Sequence, residues 1–455
     1  MKKILVLGAG LVAGAHTRYL LDQPDFHVTV ASRTLSKAQA IVKGHPNGEA
    51  CQLNVKDEAA LADLVRQSDL AVSLLPYAYH PLVARLCIEH GKHMVTTSYV
   101  QEQMAQLDEA AKEAGVILLN EIGVDPGIDH MAAMKIIHHV QRENGEIISF
   151  LSWCGGLPAP EANTNPLGYK FSWAPKGVLL ASKNSARYLK ADEEVIVPGE
   201  ELFDHIWSVP VEVEGEAGET SVIDFEGYPN RDSIPYMETY GITSARDMFR
   251  GTLRNVGWCQ TLRKIADLGL LDEEAREGVP SDDLNGMTFA QFTASLIGGD
   301  SALKDDLRKD LAAYLNVEQD SLVMGNLEWL GFLGDDLLPL KEGAPIDVLT
   351  ARMLEKMQYE EGERDMLILQ HEFIAKYPNR EEKITATMVD FGIPHGDTSM
   401  SRTVGLPAAI GVRMILEGKI NLTGVRTPVV PEIYEPVLEE LEQLDIRLVE
   451  KWETL

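Results

Sequence analysis

Through the first 125 residues short apolar runs alternate with amphipathic stretches. "KILVLGAG", "HVTVASR", "EACQLNV", "LAVSLLP", "HMVTTSY" and "VILLNEIG" read as strands, and segments such as "KDEAALADLVRQ" and "YHPLVARLCIEHG" between them as helices. Repeated strand–helix units build a parallel, doubly wound sheet, so the pattern predicts a Rossmann-type α/β domain over residues 1–125. "DPGIDHMAAMKIIHHVQREN" reads as a helix opened by Pro126, after which the runs lengthen and fill with Gly, Pro and aromatics. A mixed α/β domain is expected over 126–242. Helical periodicity dominates 243–370, as in "SARDMFRGTLRNVGWCQTLRKIADLGL" and "SALKDDLRKDLAAYL", and predicts a small helical domain. Strand character returns in "KITATMVDFG", so residues 371–395 are assigned to the mixed domain. The small-residue helix "SRTVGLPAAIGVRMILEG" then opens a segment, 395–455, expected to return to the first.

Composition narrows the functions open to the chain. It has 455 residues, 45% of them hydrophobic, more than one core usually organises. A formal net charge of −29 excludes sequence-independent nucleic-acid binding, which needs clustered Lys and Arg, and requires any site for an anion to concentrate arginines locally. Apolar runs fall short of the roughly 18 residues that cross a bilayer, no membrane partner is expected, and the opening "MKKILVLGAG" carries no cleavage-site pattern. The expected compartment is the cytoplasm. Cys51, Cys87, Cys154 and Cys259 lie far apart without a C-x-x-C pair, so reduced thiols are expected rather than a zinc knuckle or a disulfide framework.

"VLGAGLVA" sets Gly8, Gly10 and Ala13 in G-x-G-x-x-A spacing directly after the first strand, where backbone N–H groups can meet a pyrophosphate at a helix N-terminus. At the end of the second strand an NAD enzyme carries an acid. This chain reads Ala31-Ser32-Arg33-Thr34, a hydroxyl and a guanidinium suited to a 2′-phosphate, which favours NADP(H). "SLLPY", Leu74–Tyr77, ends the fourth strand where the nicotinamide half should pass.

"TTSYV", "NEIGVDPGIDH", "CGGLPAPEANTNPLGYKFSWAPKGVLLA" and "PNRDS" closely resemble the saccharopine reductases, the NADP-dependent, L-glutamate-forming saccharopine dehydrogenases. The resemblance runs through most of the chain. It implies reversible condensation of L-glutamate with α-aminoadipate semialdehyde through an imine that NADPH reduces to saccharopine, in a homodimer whose mixed domain carries the dimer contact. It places cofactor contacts on Leu11, Val12, Ser32, Arg33, Thr34, Asn54, Val55, Leu75, Pro76, Val124, Asp125, Pro126, Gly127 and Trp173. Substrate contacts fall by the same resemblance on Ser98, Tyr99, Asp125, Arg231, Thr252, Leu253 and Arg254.

The chemistry asks little of the protein beyond this, because hydride transfer belongs to the nicotinamide while the chain must place the imine carbon and manage protons. Saccharopine carries three carboxylates, and Arg231 and Arg254 are suited to clamping them. Asp125 in "VDPGIDH" reads equally as a cap of the following helix and as a group that orients or deprotonates an ammonium, with Tyr99 supplying a hydroxyl. Covalent catalysis needs no place in a reductive condensation, which leaves Cys154 as a pocket wall that contacts the substrate or relays a proton. Gly155 and Gly156 beside it are expected to let substrate approach the backbone. Tyr99, Asp125 and Cys154 are thus the catalytic candidates. His130, His138 and His139 read as ordinary helix-face residues, since no H-E-x-x-H is present and no metal is required. A carboxynorspermidine-type imine reductase, whose polyamine substrate favours acidic walls over two arginines, and a non-catalytic NADP-binding regulator are the alternatives.

Overall fold

The computed structural model describes residues 1–214, 218, 220–298 and 306–455. They fall into two compact units, Met1–Ile148 with Glu238–Ser244 and Leu369–Leu455, and Ser149–Met237 with Ala245–Ile368. The helical block expected to stand alone therefore shares a unit with 149–237, and the 371–395 segment lies in the first unit. Residues 299–305 of that block lie outside the described ones.

In the first unit β1 (Lys2–Leu7), β2 (Phe26–Ser32), β3 (Gly48–Gln52), β4 (Leu70–Ser73), β5 (His93–Val95) and β6 (Ile117–Leu119) pair in parallel, and Gly424–Arg426 extends the sheet beside β6. The order from that edge is β6-β5-β4-β1-β2-β3, so the chain direction of build-up reverses at β1. Ligands bind at the carboxyl edge by such a switch point. The inner strands read as apolar runs because helices cover both faces; all four residues of β4 are buried, whereas the edge strand β3 leaves Glu49 and Gln52 exposed. The linking helices are α1 (Ala13–Leu21), α2 (Leu35–Val42), α3 (Glu58–Gln67), α4 (His80–Glu89), α5 (Glu102–Ala105), α6 (Asp108–Glu113) and α7 (Ile128–Arg142). The small-residue helix Ser399–Leu416 lies against α1, where a Cβ at Gly405 would come within 3.0 Å of the His16 backbone nitrogen. His16 Nδ1 meets the Gly405 carbonyl at 3.1 Å inside that contact.

Burial pushes His16 down to about 4, and His80, buried at the start of α4, to about 4. Both are neutral when folded and bind a proton near pH 6.5 when unfolded, so stability falls as pH drops from about 6.5 to about 4. Between pH 7 and pH 5 the expected loss is about 2 kcal/mol for each histidine. Urea titrations at pH 7 and pH 5 measure it, and an unchanged midpoint contradicts it.

The second unit is built on β7 (Glu146–Pro158), β8 (Ala186–Lys190), β9 (Glu193–Val197), β10 (Trp207–Glu214), β11 (Thr220–Pro229) and β12 (Asp247–Arg254). β12 runs parallel to β7 and antiparallel to β11. "DMFRGTLR" was expected to be helical and is a central strand instead. Its 3.6-residue periodicity is overridden by ladders on both sides and by burial of Met248, Phe249, Arg250 and Gly251. Helical structure begins only at Trp258–Leu268. In the first unit a final strand, Val449–Thr454, pairs antiparallel with Glu381–Phe391.

Candidate active site

The glycine turn forms as its spacing requires. Gly8 has φ +113°, and a Cβ there would stand 2.8 Å from the Leu74 carbonyl, so only glycine lets the chain leave β1 beside β4. A Cβ at Gly10 would meet nothing within 4 Å, which leaves open space over the turn. α1 begins at Ala13 with Val12 at its N-cap and no side-chain cap from that residue; the Ala13 N–H donates to the Gly10 carbonyl at 3.1 Å and the Ala15 N–H to Ser401 Oγ at 3.3 Å. A glycine turn with open space over it at a helix N-terminus fits a pyrophosphate. Ser32 ends β2, its Oγ accepts the Thr34 N–H at 3.3 Å, and Arg33 is exposed. Register sets Ser32 opposite Gln52, whose amide donates to the Arg33 carbonyl at 3.0 Å, and Asn54 and Val55 follow. Leu75 and Pro76 leave β4 at the same edge, so these cofactor candidates of the first unit share one rim of the sheet. No acid stands at the end of β2 to take the place of Arg33.

Further along that rim, Ser98 and Tyr99 follow β5, and Val124–Gly127 follows β6. The Tyr99 hydroxyl donates to Asp125 Oδ1 at 2.8 Å. Asp125 does not cap the helix: Gly127 occupies the N-cap of α7, and Asp129 Oδ1 accepts the Gly127 N–H at 2.5 Å. The helix also starts at Ile128, two residues past Pro126. The Tyr99 loop is held from beneath by Glu121, whose N–H donates to the Ser98 carbonyl at 3.1 Å and whose Oε1 accepts the Val100 N–H at 2.8 Å. His130 is no ordinary helix-face residue. It is fully buried, with Nε2 2.8 Å from Glu121 Oε2 and Nδ1 2.6 Å from the Tyr240 hydroxyl. His138 bonds the Tyr434 hydroxyl at 2.7 Å, and His139 lies 3.5 Å from Glu143.

In the second unit, register sets Cys154 opposite Thr252, and Cys154 is buried. A Cβ at Gly155 would stand 2.6 Å from the Leu253 carbonyl, so the missing side chain lets β12 approach, where the sequence reading had given that space to a ligand. Arg254 ends β12 with 6% of its surface exposed. Its Nη1 donates to the Leu253 carbonyl at 2.7 Å, its Nε has no partner among the described residues, and its guanidinium lies 5.0 Å from the Tyr169 ring and 5.7 Å from Trp258. Burial pushes the nearby Tyr228 phenol up to about 12, so that neighbour is uncharged at neutral pH. A buried cation without an acid to pair with is costly, and an anionic ligand removes the cost.

The surroundings of Arg254 are fixed locally. Asn255 donates to the Gly168 carbonyl at 2.7 Å, which clamps the "NPLGYKF" loop, and Tyr169 with it, over the strand end. Glu226 accepts the Gly257 and Cys259 N–H groups at 2.9 and 3.0 Å, capping the helix that carries Trp258. Among the described residues, Trp258 Nε1 and Ser172 Oγ are buried without partners. Arg231 lies elsewhere in this unit. Its carbonyl accepts the Arg187 N–H at 2.9 Å, and it lines a cavity of about 380 Å³ with Arg187 and Asp232. The neighbouring Asn230 pairs with Arg250, four residues or about 13 Å of strand from Arg254. The sequence reading missed Tyr169, Trp258, Glu121 and His80, whose roles depend on partners distant in the chain; only the helix-start position of His80 in "YHP" was visible.

A parallel sheet with a glycine turn at its switch point, a basic rather than acidic residue ending β2, and a polar cluster on the same rim define an α/β oxidoreductase of the dinucleotide-binding class. Known proteins narrow the class. Residues 4–119 match the saccharopine dehydrogenase NADP binding domain and residues 123–446 the saccharopine dehydrogenase C-terminal domain. A saccharopine dehydrogenase [NADP(+), L-glutamate-forming] of Schizosaccharomyces pombe is 44% identical, covering 99% of both chains. The mitochondrial alpha-aminoadipic semialdehyde synthase of Bos taurus is 38% identical over 97% of this chain, which matches 47% of that longer protein. The apo structure of saccharopine dehydrogenase (L-Glu forming) from Saccharomyces cerevisiae superposes with a TM-score of 0.86 at 37% identity, covering 100% of each chain. The chain belongs to the saccharopine dehydrogenase family.

Proposed function

We propose that this chain is an NADP(H)-dependent saccharopine dehydrogenase that interconverts saccharopine with L-glutamate and α-aminoadipate semialdehyde in lysine metabolism. The observation that carries the reading is the buried Arg254 guanidinium, with no acid against it among the described residues and its Nε unpartnered, which fits a substrate carboxylate and gives a polyamine no counter-charge. Ser98, Tyr99, Asp125, Arg231, Thr252, Leu253 and Arg254 are assigned to substrate. The cofactor is assigned to Gly8, Gly10, Leu11, Val12, Ala13, Ser32–Thr34, Asn54, Val55, Leu75, Pro76, Val124–Gly127 and Trp173. When bound, the nicotinamide supplies or accepts the hydride. Asp125, steadied by the Tyr99 hydroxyl, orients the substrate nitrogen and takes up its proton as the amine becomes an imine, which water then splits. Cys154 is assigned to the wall beside the reacting carbon.

Arg33 tests the cofactor assignment. Arg33→Ala is expected to raise KM for NADP⁺ by about 10- to 100-fold while leaving NAD⁺ turnover unchanged; an equal effect on both cofactors overturns it. We also propose a cytoplasmic homodimer. Four free cysteines fit a reducing compartment. The apolar groove lined by Trp153, Tyr188, Trp207 and Phe249, with exposed Ile196 and Val222 in the same unit, fits a second copy of the chain.

A further inference from the structure

His80, which neither the sequence reading nor the family resemblance assigns, stands between two serines. Its Nδ1 lies 2.8 Å from Ser73 Oγ and its Nε2 2.8 Å from Ser98 Oγ. Thr96 Oγ1 lies 3.4 Å from the same Nε2 and donates its own hydrogen to the Ser73 carbonyl at 2.9 Å. The imidazole is 4% exposed, and burial pushes it down to about 4, so it is neutral at working pH with one N–H and one bare nitrogen.

The partners decide which nitrogen carries the hydrogen. Thr96 Oγ1 has spent its hydrogen and offers Nε2 only lone pairs, which repel a bare nitrogen and attract an N–H. Ser73 Oγ is fully buried. If Nδ1 carried the hydrogen, the Ser73 hydroxyl hydrogen would have no acceptor among the described residues; with Nδ1 bare it donates there. Both arguments give the Nε2–H tautomer. The chain of donation then runs from Ser73 through His80 to Ser98, whose Oγ accepts from the ring and keeps its hydrogen for a ligand.

We propose that His80 is a positioning residue that fixes Ser98 as a hydrogen-bond donor, directed at a carboxylate oxygen of the substrate rather than at its nitrogen. The inference rests on the assignment of Ser98 to substrate. It accounts for a buried histidine on the candidate site's rim that takes no part in hydride or proton transfer, and it makes Ser98 complementary to an anion in a chain of strongly negative charge.

A double-mutant cycle in the intact enzyme tests it. His80→Leu is expected to raise KM for saccharopine about tenfold with kcat within about threefold, and Ser98→Ala to do the same. The double variant should be no worse than Ser98→Ala, and His80→Gln, whose amide can still donate toward Ser98, should recover most of the loss. NADPH affinity, measured by fluorescence titration, should stay within about twofold in each variant. Multiplying losses in the double variant, or loss of NADPH binding in step with KM, would overturn the proposal. A separate readout needs no substrate: ¹⁵N-histidine NMR of the wild type, assigned with His80→Gln, should show His80 protonated at Nε2, and an Nδ1–H ring would sink the donor assignment. Failure of the wild type to turn over saccharopine counts against the proposed function instead, since the tautomer is read without it.

Discussion

Arg254→Ala is expected to lower kcat/KM for saccharopine by about 10²- to 10³-fold, with most of the loss in KM and with NADPH binding retained. The guanidinium lies almost wholly out of water, on the faces of Tyr169 and Trp258, with its Nε unpartnered. Hydrogen bonds between ionised partners at such a site are about twice as strong as neutral ones, and removing one desolvated partner leaves the other uncompensated. Arg254→Lys should recover little, because an ammonium cannot reproduce the planar fork or its stacking on two aromatic faces. The variant should fold at least as well as the parent, since truncation removes a buried cation that pairs with no acid among the described residues. Steady-state kinetics with a thermal melt separates these outcomes. A large loss of stability with unchanged KM would make Arg254 a packing residue.

Gly127→Ala is expected to damage both stability and activity. Gly127 has φ +148°, and a Cβ would stand 2.1 Å from the Gly123 carbonyl and 2.3 Å from its nitrogen. Flexible side chains can yield to such a clash, but backbone here must move, and the backbone concerned carries Asp125. The cost is expected to be about 3 kcal/mol or more, together with loss of the 2.8 Å bond from Tyr99. Gly91→Ala supplies the contrast. Its φ is +63° with nothing within 4 Å, so only the backbone preference acts and about 1 kcal/mol is expected. Thermal denaturation of both variants decides the matter, and equal losses would contradict the steric argument.

What could be read from the sequence depended on how local its cause is. β4 and the inner part of β1 were legible because strands buried on both faces are apolar, and the Gly8 turn because its spacing is set within six residues. The helix expected across Asp247–Arg254 is a strand because its ladders come from β7, about a hundred residues earlier, and from β11. The reading of Asp125 as either cap or site residue had to wait for the finding that Asp129 holds the Gly127 N–H. Glu121 and His130 were invisible as a support for the Tyr99 loop, since their third partner, Tyr240, is 110 residues away in sequence. At Gly155 the close neighbour is the Leu253 backbone, which only the pairing of β12 with β7 reveals.

The central claim is that this chain oxidises saccharopine with NADP⁺ as hydride acceptor. Absorbance at 340 nm, followed with purified protein, saccharopine and either NADP⁺ or NAD⁺, tests it most directly. The account predicts a saccharopine-dependent rise with NADP⁺ at least about tenfold faster than with NAD⁺, as the Ser32-Arg33-Thr34 end of β2 requires. No rise with either cofactor would contradict the assigned reaction, and a faster rise with NAD⁺ would contradict the role given to Arg33.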